Sequence, residues 1–154
     1  MEMNNVIERV NACIDSIGWE AQALPAQNLI VLGVVIRSDL EKIGMLLEFS
    51  EEDYLVYGVA PVTAAADSCE MLRYLTMANY GMKDGNFEMD LQNGEIRFKT
   101  YVRFGGEEVL SEETILRSLL LPPMMFERYG DGIAALAEGR SDAETELQKA
   151  ESTL

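Results

Sequence analysis

The stretch from Asn86 to Phe104 constrains the fold more than any other, because it reads as one β-hairpin turning on Asn93-Gly94. Asn-Gly accepts the positive φ angles of a two-residue type I′ turn, whose twist matches that of the flanking strands. With those residues as the turn, Gln92 faces Glu95, Leu91 faces Ile96 and Asp90 faces Arg97. Further out, Met89 meets Phe98, Glu88 meets Lys99 and Phe87 meets Thr100. Apolar side chains share one face and opposite charges pair on the other, each pair contributing about 0.2–1 kcal/mol. A one-residue slip would press carboxylates into the core, so the pattern fixes which face is buried. It describes a fold and carries no reaction.

The rest of the chain falls into helices and strands around this hairpin. Val6, Ile7, Val10, Cys13, Ile14 and Ile17 recur at helical spacing ahead of Gly18, which suits a helix end. Trp19 to Leu24 reads as a short strand stopped by Pro25. Leu29–Ile36, Met45–Phe49 and Tyr54–Val59 follow as strands, the last after the acidic turn Glu51-Glu52-Asp53. Beyond Pro61, a second helix ending at Gly81 carries Ala65, Cys69, Leu72, Leu75, Thr76 and Asn79 along one stripe.

After the hairpin, Ser111 is placed to cap a third helix, with Glu112 and Glu113 in the first turn, where the helix dipole favours negative charge. Ile115, Leu116, Leu119 and Leu120 form its buried stripe. Pro122-Pro123 is expected to break or kink it, since Pro122 offers no N–H and crowds the carbonyl one turn back. A further segment carries Phe126, Tyr129, Ile133 and Leu136 up to Gly139.

The 154 residues suit one domain, burying roughly 70% of the unfolded chain's surface. The order α-β-β-β-α-β-β-α over residues 1–139 defines an α+β domain, an antiparallel sheet with helices packed on one face. Residues 140–154 form a polar extension, expected to be a loosely held helix. Ser141 and Glu144 have capping-box spacing, and Ala143, Leu147, Ala150 and Leu154 lie along one stripe.

Composition removes whole classes of function. Histidine is absent, which rules out Ser-His-Asp and Cys-His nucleophile activation and nearly all zinc sites. No phosphate-cradling loop, dinucleotide fingerprint or calcium-loop spacing occurs, so no cofactor or metal is expected. Twelve basic residues against 27 acidic ones give a net charge of −15, which argues against nucleic acid and membrane surfaces as partners. Cys13 and Cys69 read as reduced, buried thiols on helical stripes. The acidic, polar start is unlike a signal peptide, and the apolar run Leu29–Ile36 is too short to span a bilayer; a cytoplasmic protein is expected.

Two features look outward. Leu29–Ile36 is apolar everywhere except Gly33, so it is either a strand buried on both faces or one whose outer face meets another chain. The nine methionines are adaptable core filler or adaptable partner surface, with Met124 and Met125 beside the prolines the pair to watch.

From Leu72 to Gly139 the chain resembles the YbjN family. The resemblance rests on Leu75 to Tyr80, then Gly85-Asn86-Phe87-Glu88-Met89-Asp90, then Gly94-Glu95-Ile96-Arg97-Phe98, and on Leu110-Ser111-Glu112-Glu113 opening the last helix. It covers about half of the chain, and its motifs are structural. It implies a fold similar to that of type III secretion chaperones, small acidic proteins, usually dimeric, that hold a partner segment and catalyse nothing.

These readings converge on a non-enzymatic protein-binding module, chaperone-like or regulatory, acting as a homodimer or on a protein client. Leu29, Val31, Val35 and Leu46, with Lys99, Tyr101 and Arg103 from the hairpin, are expected to form a mixed apolar and cationic outer face. The alternative is a small-molecule sensing domain with a pocket between sheet and helices near Trp19, Phe98 and Met124. A hydrolase or lyase using paired carboxylates, drawn from Glu51-Glu52-Asp53, Glu107-Glu108 or Glu112-Glu113, is the third.

Overall fold

The computed structural model describes residues 1–65, 67–106 and 108–152. Helix α1 (Met3–Ser16) leads into β1 (Ala21–Leu24), a 3-10 turn at Pro25–Gln27, then β2 (Leu29–Val35), β3 (Lys42–Phe49) and β4 (Asp53–Thr63). Helix α2 (Cys69–Asn79) crosses to β5 (Asn86–Met89), which returns as β6 (Glu95–Arg103) before α3 (Glu112–Ala137) and α4 (Ala143–Glu151). The six strands form one antiparallel sheet in the order β1-β2-β3-β4-β6-β5. The α+β expectation holds, with the short strand after Trp19 and the terminal helix added to the core order.

One face of the sheet makes the core. Ile30, Leu32 and Val34 of β2, Ile43, Met45 and Leu47 of β3, Tyr54 and Val56 of β4, and Ile96 and Phe98 of β6 are all buried in one hydrophobic cluster. Val6, Val10, Cys13 and Ile14 of α1 and Ile115, Leu119, Phe126 and Tyr129 of α3 close it from the other side. Phe87 packs edge-on against Phe98 at 4.9 Å, Phe126 at 5.4 Å and Tyr129 at 5.7 Å between ring centroids. Gly18 ends α1 at φ 77° as expected, and the Ser111 hydroxyl caps α3 by accepting the Thr114 N–H.

The hairpin forms, but its pairing is displaced by two residues. Phe87 lies opposite Phe98, Glu88 opposite Arg97 and Met89 opposite Ile96. The turn is a four-residue loop, Leu91 to Gly94, in which only Gly94 has positive φ. Two side chains favour it over the type I′ turn: the Asp90 carboxylate accepts the Gln92 N–H, and the Asn93 amide oxygen accepts the Glu95 N–H. Leu91 is left exposed instead of facing Ile96. A displacement by two keeps every side chain on its expected face, so the core side survives the error in register. At β5, an edge strand, the Asn79 amide pairs with both the N–H and the carbonyl of Phe87, closing the edge there.

Pro122-Pro123 does not break the third helix, and α3 runs through both prolines without interruption. Pro122 gives no N–H to the carbonyl of Ser118, one turn back. The buried hydroxyl of Thr100 on β6 supplies that bond, donating to the Ser118 oxygen at 3.0 Å. Gly58 on β4 makes room for the ring, since a Cβ there would stand 3.0 Å from Pro122 Cβ. The proline site is thus completed by the sheet. Thr100→Val is expected to cost about 1–3 kcal/mol, because a buried carbonyl loses its donor. In a Pro122→Ala background the helix regains its own N–H, and the same substitution should cost visibly less. A double-mutant cycle by urea unfolding reads this coupling, and equal costs in both backgrounds would disprove it.

Other side chains depart from expectation. The buried side of α2 is Met71, Tyr74, Leu75 and Ala78, rotated from the expected stripe, so Thr76 faces solvent. Cys69, at the first turn of α2, is exposed, while Cys13 is buried. Leu120 points outward from α3. In α4 the capping residue is Asp142, not Ser141, accepting the Thr145 N–H. Ala143 and Ala150 are buried, and the Ala143 N–H donates to Glu70 of α2 at 2.7 Å. Leu154, expected on the same stripe, lies outside the described residues.

Candidate protein-binding face

Strand alternation and the β2–β3–β4–β6 register bring the expected site residues to one face, opposite the helices. Val31 lies across from Leu46, Leu46 from Tyr57 and Tyr57 from Lys99. The next row runs Leu29, Glu48, Leu55 and Tyr101, and the row on the other side runs Gly33, Gly44, Val59 and Arg97. Val35 stands at the end of β2 opposite Lys42, 86% exposed. Arg103 stands at the far corner opposite Asp53. All seven expected residues therefore share the outer face. Neither sealing β2 on both sides nor covering this face with the chain's own helices is what the structure shows: Leu29 and Val31 are half-buried and Val35 is exposed.

The face has an apolar middle, bordered within the sheet by exposed Glu48 of β3, and a charged margin. Leu55, Tyr57 and Val59 of β4 belong to the middle and were not singled out from the sequence. The strand Tyr54–Val59 is apolar in both phases, so its outer side becomes legible only once its partners are known. Arg97 lies over the Tyr57 ring at 4.3 Å, covering it with a cation–π contact.

The margin is less cationic than expected, because the hairpin's cations are internally paired. Glu88 accepts from Arg97 Nε at 2.8 Å and from Lys99 Nζ at 3.0 Å, whereas Asp90, expected to meet Arg97, turns into the loop. Arg103 pairs with Glu52 at 3.6 Å, and the Tyr101 hydroxyl donates to Asp53 at 3.1 Å. Burial raises the Glu88 pKa, but hydrogen bonds from Lys99 and Arg97, with their charges, outweigh it and hold the carboxyl below its ordinary range. A carboxyl depressed in the folded state contributes stability above its unfolded pKa and loses it as the pH falls through its folded one. Glu88→Gln should therefore cost roughly 1 kcal/mol near neutral pH, reduced by the pair's partial exposure. In thermal melts, the gap to the wild type should close in acid, below about pH 4. A gap that persists there would mean the carboxylate's charge is not its source.

The other candidate chemistries do not assemble at their expected places. Phe98 is fully buried against Phe87 and beside Gly85, while Met124 is 56% exposed on α3, so these two do not look into one space. Glu52 and Asp53 are engaged with Arg103, Ser50 and Tyr101. Glu112 and Glu113 occupy the first turn of α3. Glu107 lies outside the described residues, so its pairing with Glu108 has no structural reading. Glu70, Asp142 and Glu144 do come together, and the start of α4 accounts for them. Glu70 and Asp142 accept its N–H groups, and Glu144 pairs with Arg73. Among the described residues, no helix is long and apolar enough to cross a membrane.

This α+β fold, an antiparallel sheet with helices on one face, is similar to that of YbjN and of type III secretion chaperone structures. YbjN from E. coli, a proposed transcription regulator, matches with a TM-score of 0.60 at 9% identity, over 82% of this chain and 93% of that one. The ExsC-ExsE complex matches with a TM-score of 0.52 at 16% identity, over 83% and 96%. The HopA1-SchA chaperone-effector complex matches with a TM-score of 0.55 at 12% identity, over 86% and 98%. These likenesses are of fold. No family model matches the sequence, and no curated protein does.

Proposed function

We propose that this chain is a non-enzymatic protein-binding module of the cytoplasm, chaperone-like or regulatory, which offers its outer sheet face to a second copy of itself or to a client segment. One observation carries the reading: Val31, Leu46, Leu55, Tyr57 and Val59 form a continuous apolar strip on the side of the sheet turned away from the core, half-buried except for Tyr57, which Arg97 covers. An apolar centre with a polar margin has the anatomy of a protein interface. Two proteins of the same fold were solved as a complex with a partner, ExsC-ExsE and HopA1-SchA, which supports the same use of the fold here. The absence of histidine, and the engagement of Glu52, Asp53, Glu70, Asp142 and Glu144 in local pairs and caps, support a role without catalysis.

Val31→Glu tests the face. Val31 points away from the core, so the variant is expected to keep its circular dichroism spectrum and melting behaviour. A charge in the middle of an apolar contact should weaken self-association, or capture of a client, by about tenfold or more. Sedimentation across a concentration series and affinity capture followed by mass spectrometry measure the two. A folded variant with unchanged mass in solution and unchanged partners would remove this face from consideration.

A further inference from the structure

On the helical side, a groove of about 340 Å³ runs between the loop after α2 and the outer surface of α3. Its composition runs against that of the chain. In a protein of net charge −15, three cationic side chains, Lys83, Arg117 and Arg128, reach this one depression. Arg117 is paired with Asp84 at 2.9 Å. Lys83 and Arg128 have no ion pair among the described residues.

Arg128 is the unusual one. Its Nε is shut away from solvent without an acceptor, the one buried side-chain nitrogen or oxygen of the described residues left so. A buried N–H without a partner is costly, more so on a charged group. Its guanidinium stays in place because it lies against the Tyr129 ring, 5.1 Å from the centroid. The Tyr129 hydroxyl in turn is directed to Glu151 at 3.4 Å. The groove is therefore lined by a guanidinium held against an aromatic ring, with the Lys83 cation nearby, and among the described residues no carboxylate is bound to either.

We propose that this groove binds a carboxylate side chain of an acidic peptide segment from a partner protein, with Arg128 as its principal contact and Lys83 as its second. A guanidinium matches a carboxylate in plane and can pair with it through two parallel bonds. The rim carboxylates Asp84 and Glu151 make a single negative charge easier to admit than the double charge of a phosphate. The walls select the neighbouring residue of the segment. Met82, Leu121 and Met125 line the groove, and flexible thioether side chains adapt to varied apolar shapes. The preferred segment alternates Glu or Asp with Leu or Met. This site is separate from the sheet face and stands whether or not that face binds anything.

The wall methionines provide the test. With the methionine methyls labelled for NMR, a terminally blocked peptide alternating Glu and Leu is titrated into the full chain. The Met82 and Met125 methyl signals are expected to shift, while those of buried Met45 and Met71 stay put. A peptide with Gln at every Glu position should produce no shift at the same concentration. Arg128→Met keeps the stem and removes the unpartnered nitrogen, so folding should be unharmed and peptide affinity should fall about ten- to hundredfold. Should that variant unfold, Lys83→Gln, on an exposed loop, is expected to weaken binding about threefold with no change in melting. The proposal is overturned if the shifts appear away from Met82 and Met125, or if the Gln peptide binds equally. Unchanged affinity in a folded Arg128→Met variant overturns it too. Inorganic phosphate producing the same shifts would make this a general anion site and overturn the assignment to a peptide carboxylate.

Discussion

Gly94→Ala is expected to destabilise the protein by about 3 kcal/mol or more, the largest loss from adding one methyl group to this chain. Two penalties coincide there. Gly94 sits at φ 78°, a conformation costly for any residue with a Cβ, and an added Cβ would lie 1.9 Å from the carbonyl oxygen of Ala64. That obstacle is backbone, so no rotamer change relieves it. The loop would have to withdraw and break the bond from the Ala64 N–H to the Gly94 carbonyl, now 2.9 Å, which ties the hairpin to the end of β4. Gly18→Ala is the control, with a similar φ of 77° and nothing within 4 Å of an added Cβ, so it should cost only about 1–2 kcal/mol. Urea unfolding of both variants separates conformational strain from the clash. Equal losses would show that the Ala64 contact is unimportant.

The same hairpin shows what could be read from the chain and what could not. Its buried face was legible because side-chain direction alternates strictly, and this survives any even displacement of the register. Its turn was not, because Asn93-Gly94 is compatible with two loop lengths. The choice between them is made by the Asp90 and Asn93 side-chain bonds and by Ala64, some thirty residues earlier. Pro122 fails in the same way. The rule that proline interrupts a helix is local, while the Thr100 hydroxyl that satisfies Ser118 and the Gly58 that admits the ring come from two strands of the sheet. On the outer face, Leu29, Val31 and Val35 could be assigned by alternation along their own strand. Tyr57 and Leu55 needed the neighbours. The double pairing of Glu88 with Arg97 and Lys99 followed from the displaced register and turned an expected cationic patch into a paired margin.

Gly44→Val is expected to leave the fold intact and weaken binding at the outer face about ten- to hundredfold. Gly33 and Gly44 lie opposite each other on that face, with no heavy atom within 4 Å of an added Cβ at either position and ordinary φ values. They leave a flat shelf between Val31 and Leu46 on one side and Val35 and Lys42 on the other. Within the monomer a valine there should be neutral or slightly stabilising, since glycine inside a strand is entropically unfavourable and β-branched residues suit strands. Against a partner packed on the shelf, the same side chain is an obstruction, and overfilling a packed contact costs about 1–3 kcal/mol. Stability and binding are thus expected to move apart, which a destabilising substitution cannot mimic. Melting temperature and the association constant measured on one sample decide the matter. A Gly44→Val variant that melts like the wild type and associates as tightly would mean that the shelf stays empty in the complex, and the apolar strip beside it would lose its claim to be the centre of an interface.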